Sequence, residues 1–128
     1  ASYGTTVVNM APTSIDGEVK VTGPYGRNHN GAGQPLRMYE MLETLEGAVD
    51  LARVALNTTA RILEAKKAIQ KAFEIQQKGM GFAMVEVLST CPTNWGLSPV
   101  EAGKWLEEHM IPYYPLGVFK DVEGGEKG

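Results

Sequence analysis

A single cysteine, Cys91, is the clearest candidate for chemistry in this sequence. It follows an apolar run that ends at Leu88 and directly precedes Pro92, so it is expected where a strand gives way to a loop. Such junctions are where open α/β sheets often place their functional residues. A lone cysteine cannot form an internal disulfide, which fits a reducing compartment or a thiolate that works alongside other chains. A buried, inert thiol is the plainer interpretation, and the residues alone leave both open.

Other generic catalytic signatures are absent from the sequence, which has no glycine-rich phosphate loop and no zinc-type cluster. We therefore assign no catalytic residue. The two histidines, His29 and His109, are far apart, and for each we expect a structural or solvent-exposed role. Several aromatic residues could resemble a ligand cage, although packing of the last helix and tail is the commoner explanation. They are Trp95, Trp105, Tyr113, Tyr114 and Phe119.

The composition is that of a soluble globular chain with room for one core, since 43% of its 128 residues are hydrophobic and 21% are charged. The net charge of −3 provides no basic field for nucleic acid. No apolar run reaches the roughly 20 residues of a membrane helix, and no secretory signal is recognisable. We expect a cytoplasmic protein with neither nucleic acid nor membrane as a partner.

The first part of the chain lacks a regular pattern. Residues 1–34 are rich in Gly, Pro, Asn, Thr and Ser, and only residues 18–21 alternate as an edge strand would. We interpret this region as a loop that lies over something outside the sequence. Helical spacing begins at Pro35 and predicts a helix that ends at Gly47.

The middle of the chain predicts a strand followed by a long helix. The apolar run from Val49 to Leu56 is typical of a buried strand. Next, residues 57–59 offer N-caps for a helix that Gly79 ends. We expect one face of this helix to be buried. That face carries Ile62, Ala65, Ile69, Ala72 and Phe73.

A second buried strand is predicted from Phe82 to Leu88, and a capping box at residues 98–101 opens a helix that runs to about Met110 before Pro112 stops it. Residues 35–119 thus read as helix, strand, helix, strand, helix, and residues 120–128 as a flexible tail. The strand–helix–strand segment is a crossover unit of a parallel sheet. Two strands cannot form that sheet alone, so their neighbours must come from a missing segment or a partner chain.

Several motifs together resemble one family. They are Met10-Ala11-Pro12-Thr13, Pro24-Tyr25-Gly26-Arg27-Asn28, Val85-Glu86-Val87-Leu88-Ser89, Cys91-Pro92-Thr93-Asn94-Trp95-Gly96 and Tyr113-Tyr114-Pro115-Leu116-Gly117. The pattern resembles the C-terminal part of the thiamine-diphosphate-binding beta subunit of 2-oxoacid:ferredoxin oxidoreductases, in the 2-oxoglutarate and 2-oxoisovalerate branch. This resemblance implies the C-terminal portion of a thiamine-diphosphate-binding α/β fold, with a parallel sheet and flanking helices, incomplete on its own.

The resemblance also implies cofactors. In that family, thiamine diphosphate is held through Mg²⁺ by a Gly-Asp-Gly-Asp motif and by a downstream segment that resembles residues 3–9 here. By resemblance the carbonyl of Ser2 would bind Mg²⁺, and the cofactor-binding residues would be Tyr3, Gly4, Thr5 and Thr6. Val7-Val8 departs from the family's Gly-Gly. Cys91 would be one ligand of a [4Fe–4S] cluster.

The Gly-Asp-Gly-Asp motif and the other cluster cysteines are missing, so every cofactor needs residues from outside this chain. The resemblance implies an enzyme that, with partner chains, oxidatively decarboxylates a 2-oxoacid to acyl-CoA and CO₂ and reduces ferredoxin. Its partners would be the remaining part of the beta subunit, the other subunits, ferredoxin, the 2-oxoacid and coenzyme A. The alternative is a non-catalytic structural or regulatory subunit, which the Val7-Val8 change favours.

Overall fold

The computed structural model describes Ile15 and residues 34–122. The elements in chain order are α1 (Met38–Leu42), β1 (Ala48–Ala55), α2 (Thr59–Gln77), β2 (Phe82–Leu88), α3 (Pro92–Trp95), α4 (Pro99–Trp105), a π-helical turn (Leu106–Met110), α5 (Ile111–Tyr113) and β3 (Gly117–Asp121). These residues form two compact units. We call residues 38–87 with 115–122 the sheet unit, and Ile15 with residues 34–37 and 88–114 the helical unit.

The sheet is mixed and has the strand order β2-β1-β3. The predicted α/β class is confirmed, and the pair joined by α2 is parallel as expected. The third strand was not predicted, and it makes the sheet mixed rather than wholly parallel. β3 runs antiparallel to β1, with Leu51 opposite Lys120 and Asp50 opposite Asp121. It therefore extends into the first two residues of the segment expected to be a flexible tail.

Helix α2 begins and ends where its local signals predict. The Thr58 side chain caps the helix by accepting a hydrogen bond from the Arg61 amide, and Gly79 adopts a φ of 63° just beyond it. The prediction of its buried face is largely wrong, because Ile62, Ile69 and Phe73 are exposed. Ala65 and Ile75 are the buried residues of this helix instead. No helix among residues 34–122 is long and apolar enough to cross a bilayer.

Two other helix ends differ from their predictions. α1 ends at Leu42, five residues before Gly47, because the Leu45 amide bonds the Leu42 carbonyl in a tight turn.

The last helical segment begins as predicted but ends later. The capping box of Ser98 and Glu101 is confirmed. The following helical segment continues through Pro112, which lacks an amide to donate. A π-helical turn directly before it changes the pairing of amides and carbonyls, so the helix passes the proline.

The core of the sheet unit forms around Tyr39. This residue, Ala48 and Leu51 are buried, and Leu42, Met84 and Phe119 pack against them. The Tyr39 hydroxyl lies 2.5 Å from the Ala52 carbonyl and 2.6 Å from the Met84 carbonyl, so it joins α1 to both β1 and β2. Each fully buried side chain of this size contributes roughly 1.5–3 kcal/mol. The core thus secures α1 and both parallel strands together.

A tight contact at the start of β2 leads to a prediction about Gly81. A Cβ atom at Gly81 would lie 2.6 Å from Val49 Cγ1, and the residue has a φ of 140°. We expect Gly81→Ala to lower the free energy of unfolding by about 2–4 kcal/mol, from backbone strain and overpacking together. The control Gly79→Ala also has a positive φ but open space around it, and should cost about 1–2 kcal/mol. Equal losses in a denaturant titration would contradict the steric explanation.

Candidate functional site

The candidate site in the helical unit is the loop that follows β2. Cys91 lies three residues beyond Leu88, at the N-cap of the four-residue helix α3. The Cys91 carbonyl accepts a hydrogen bond from the Trp95 amide at 3.0 Å, and the Leu97 amide donates to the Pro92 carbonyl at 3.0 Å. Gly96 closes the turn with a φ of 67°. These bonds fix the backbone from Cys91 to Leu97, on the C-terminal side of the thiol.

The Cys91 thiol is free and half-buried. That position is compatible with a ligand to a group that approaches from outside the chain, since a wholly enclosed thiol could not reach one. A [4Fe–4S] cluster needs four thiolate ligands, and the chain has one cysteine. Among the described residues, no group of three or more His, Cys, Asp and Glu side chains could hold a metal. A cluster of this kind could therefore take at most one thiolate from this chain.

Aromatic residues pack beside this loop. The ring centroids of Trp95 and Trp105 are 4.7 Å apart, and the exposed His109 ring stacks on Trp105 at 5.0 Å. Tyr113 and Tyr114 form a separate edge-to-face pair. Phe119 lies in the sheet unit against Tyr39. The five aromatic residues thus belong to three separate pairings, which agrees with packing rather than a single ligand cage.

The sheet unit contains a buried ion-pair network around Arg53. This side chain is 1% exposed, and its Nε donates to Glu86 Oε2 at 2.5 Å. Its two terminal nitrogens donate to both carboxylate oxygens of Glu40, at 2.9 and 3.1 Å. The guanidinium also lies over the rings of Tyr39 and Phe119. This cation on β1 therefore links its own strand to α1, β2 and β3, since each of those three elements supplies at least one of its neighbours.

A second network joins α2 to the sheet. Lys71 Nζ lies 3.1 Å from Asp50 Oδ1 and 2.6 Å from Asp121 Oδ1. Burial acts to lower the pKa of Lys71, but the hydrogen bonds to Asp121 and Asp50 outweigh it and raise the pKa above its ordinary value. The lysine therefore remains charged and holds the helix over β1 and β3.

The buried Tyr39 predicts how stability depends on pH. Burial raises the pKa of Tyr39 from 10.0 to about 12. A group whose folded pKa is raised contributes stability that is complete below its unfolded pKa and is lost as the pH rises through the folded value. We expect the free energy of unfolding to fall between pH 10 and 12, and to fall less steeply in Tyr39→Phe. That variant should also lose about 1 kcal/mol at neutral pH with its hydrogen bond. Parallel pH profiles for the two proteins would contradict this assignment.

The described residues include only part of the predicted site. Cys91 lies at the predicted strand-to-loop junction, whereas Ser2, Tyr3, Gly4, Thr5 and Thr6 lie outside the described residues, as do His29 and the predicted edge strand at 18–21. Sequence reasoning did not pair Arg53 with Glu86. The sequence does carry a signal for this pair, because Arg53 lies in the apolar run of β1 and Glu86, of opposite charge, lies in the apolar run of β2.

Comparison with curated proteins finds relatives across nearly the whole chain. It is 46% identical over 119 residues to ketoisovalerate oxidoreductase subunit VorA of Methanothermobacter thermautotrophicus, and this match covers 93% of the chain and 25% of that subunit. The subunit VorA of Methanothermobacter marburgensis is 45% identical with the same coverage. The 2-oxoglutarate synthase subunit KorB of Methanothermobacter marburgensis is 32% identical over 114 residues, covering 85% of the chain and 36% of that subunit.

The chain therefore spans a quarter to about a third of the length of these curated relatives. No family model matches it, and no solved structure matches it.

Proposed function

The chain is homologous to subunits of 2-oxoacid:ferredoxin oxidoreductases, and on that premise we propose that it forms part of the thiamine-diphosphate-binding subunit of such an enzyme. With partner chains, the enzyme converts a 2-oxoacid and coenzyme A to acyl-CoA and CO₂ and reduces ferredoxin. The observation that carries this proposal is the 46% identity over 93% of the chain. Thiamine diphosphate, Mg²⁺ and a [4Fe–4S] cluster supply the chemistry when bound.

The role proposed for this chain is to complete a site whose other half lies on another polypeptide segment. The single half-buried Cys91 supports this role, because it can provide one thiolate and requires the rest from elsewhere. The Trp95 and Leu97 amides of the α3 turn donate to the Cys91 and Pro92 carbonyls, which supports the backbone directly after the thiol. The contribution proposed for this chain is thus one thiolate ligand, Cys91, on a hydrogen-bonded turn.

The N-terminal segment carries a separate prediction. We expect the Ser2 carbonyl to bind Mg²⁺ and Tyr3, Gly4, Thr5 and Thr6 to lie against the diphosphate in the assembled enzyme, since turn-rich backbone offers carbonyls and amides to such groups. A structure of the assembly with thiamine diphosphate and Mg²⁺ checks this. A Ser2 oxygen more than about 10 Å from the metal, against the roughly 2.0–2.1 Å of a magnesium bond, would contradict it.

A second function is favoured by one observation. Val7-Val8 stands where the family has Gly-Gly, and two β-branched residues cannot adopt every backbone conformation open to glycine. The alternative is a structural or regulatory subunit that keeps the assembly surface without taking part in the reaction.

Activity of the assembled complex tests whether the enzyme needs this chain. We expect purified complex that contains this chain to reduce ferredoxin when a branched 2-oxoacid or 2-oxoglutarate and coenzyme A are added together. Complex prepared without the chain should lose that activity, and adding the chain back should restore it. Equal ferredoxin reduction by both preparations would favour the non-catalytic subunit.

A further inference from the structure

Helix α2 carries an apolar stripe that nothing in the described chain covers. Ile62, Ile69 and Phe73 recur at helical spacings of seven and four residues, and their side chains are 48%, 41% and 66% exposed. By contrast, Ala65 and Ile75 on the sheet-facing side of the same helix are buried. Three large apolar side chains aligned on one helix are typical of a helix–helix contact.

The direction in which the stripe faces follows from Lys71. At 3.6 residues per turn, Lys71 lies on the side of α2 opposite Ile62. Since Lys71 binds both Asp50 on β1 and Asp121 on β3, that side of the helix lies over the β1–β3 half of the sheet. The helix packs on β1, and the strand order is β2-β1-β3. The stripe therefore lies on the flank of α2 that points toward β2.

The sheet has an open edge at β2, the strand toward which the stripe points. Within residues 34–122, β2 pairs with β1 alone, so its other edge has backbone groups available for pairing. The β1–α2–β2 unit is parallel, and parallel sheets grow by adding strands whose helices cover the sheet faces. An added strand beside β2 would bring its own helix alongside α2, where the stripe lies.

A charge beside the stripe restricts what can cover it. Lys66 is exposed one turn after Ile62, and it has no ion-pair partner among the described residues. A covering helix would complement this site with apolar residues and a carboxylate opposite Lys66.

We propose that the stripe of Ile62, Ile69 and Phe73, together with the open edge of β2, is the docking surface for a strand–helix unit of the remaining oxidoreductase subunit. Its strand extends the sheet beyond β2, and its apolar helix packs on α2 with an acidic residue near Lys66. This proposal rests on the proposed function, because the curated relatives are three to four times longer than the part this chain matches.

The test is photo-crosslinking in the assembled complex, with benzoylphenylalanine incorporated at position 73 and, as a control, at the exposed position 67 on another side of α2. We expect position 73 to crosslink to a peptide within a helix that directly follows a strand, and position 67 not to do so. A crosslink to a second copy of this chain, or the absence of any crosslink from position 73, would overturn the proposal.

Substitutions supply a second measurement. Phe73→Asp should weaken association with the partner at least about tenfold, whereas Phe73→Leu should retain it. The matched control is Val100→Asp in α4, because Val100 is 70% exposed and lies outside the stripe. Equal affinities of Phe73→Asp and Val100→Asp would overturn the docking surface.

The two proposals can fail separately. Co-purification of a chain with a Gly-Asp-Gly-Asp segment, without the crosslink from position 73, would remove the docking surface and keep the proposed function. A crosslink from position 73 into the expected strand–helix unit, in an intact complex that does not reduce ferredoxin, would keep the docking surface and remove the proposed catalytic function.

Discussion

Arg53→Met is expected to lower the free energy of unfolding by about 3–5 kcal/mol, because it removes one partner of a buried ion pair and leaves the other uncompensated. Glu86 is 5% exposed and accepts its hydrogen bond from Arg53 Nε. Glu40 is affected less, since its side chain is 32% exposed and can be hydrated. Denaturant titration of the protein that contains this chain gives the measurement.

The double variant Arg53→Met with Glu86→Leu is the control for this prediction. Replacing both charges with apolar groups removes the buried carboxylate, so a large part of the loss should be recovered. If the double variant were as unstable as Arg53→Met alone, the loss would instead come from the stacking of Arg53 on Tyr39 and Phe119.

Cys91→Ser should reduce the iron content of the assembled enzyme or shift the potential of its cluster, and should slow ferredoxin reduction at least about tenfold. Serine nearly preserves the side-chain volume, so the fold should be retained. The spectrum of the cluster and the rate of ferredoxin reduction give the measurements.

Thr93→Ala, at an exposed position in α3, is the matched control and should leave both properties unchanged. Unchanged iron content, cluster spectrum and ferredoxin reduction in Cys91→Ser would instead show that Cys91 is only a packed residue.

The elements that the sequence predicts well are those with local causes. The Thr58 cap, the turn at Gly79 and the capping box at Ser98 each act within a few residues, so their effect can be seen in the sequence itself. The strand from Phe82 to Leu88 is apolar enough to be identified without its neighbours. Where a signal is local, the predicted and observed elements agree.

The elements that were missed depend on distant residues. β3 is short, and it becomes a strand by pairing with β1 about seventy residues earlier, for example Lys120 with Leu51. Periodicity also indicated which residues of α2 are apolar, but not which side the sheet would occupy. In the structure that side carries the buried Ala65 and Ile75, and Lys71 beside them binds Asp50 and Asp121.

The candidate site shows the same contrast between local signals and contacts between distant residues. The position of Cys91 just after a strand follows from adjacent residues, whereas the buried Arg53–Glu86 pair joins residues of two strands that are 33 positions apart in the sequence. Only the tertiary fold brings those charges together.

The most direct test of the central claim is the composition of the complex that forms around this chain. Affinity purification of the tagged chain from its native host, followed by mass spectrometry and cofactor analysis, should recover a polypeptide segment with a Gly-Asp-Gly-Asp motif together with thiamine diphosphate and iron. An intact complex that contains no such segment and no thiamine diphosphate would contradict the claim that this chain completes a thiamine-dependent oxidoreductase.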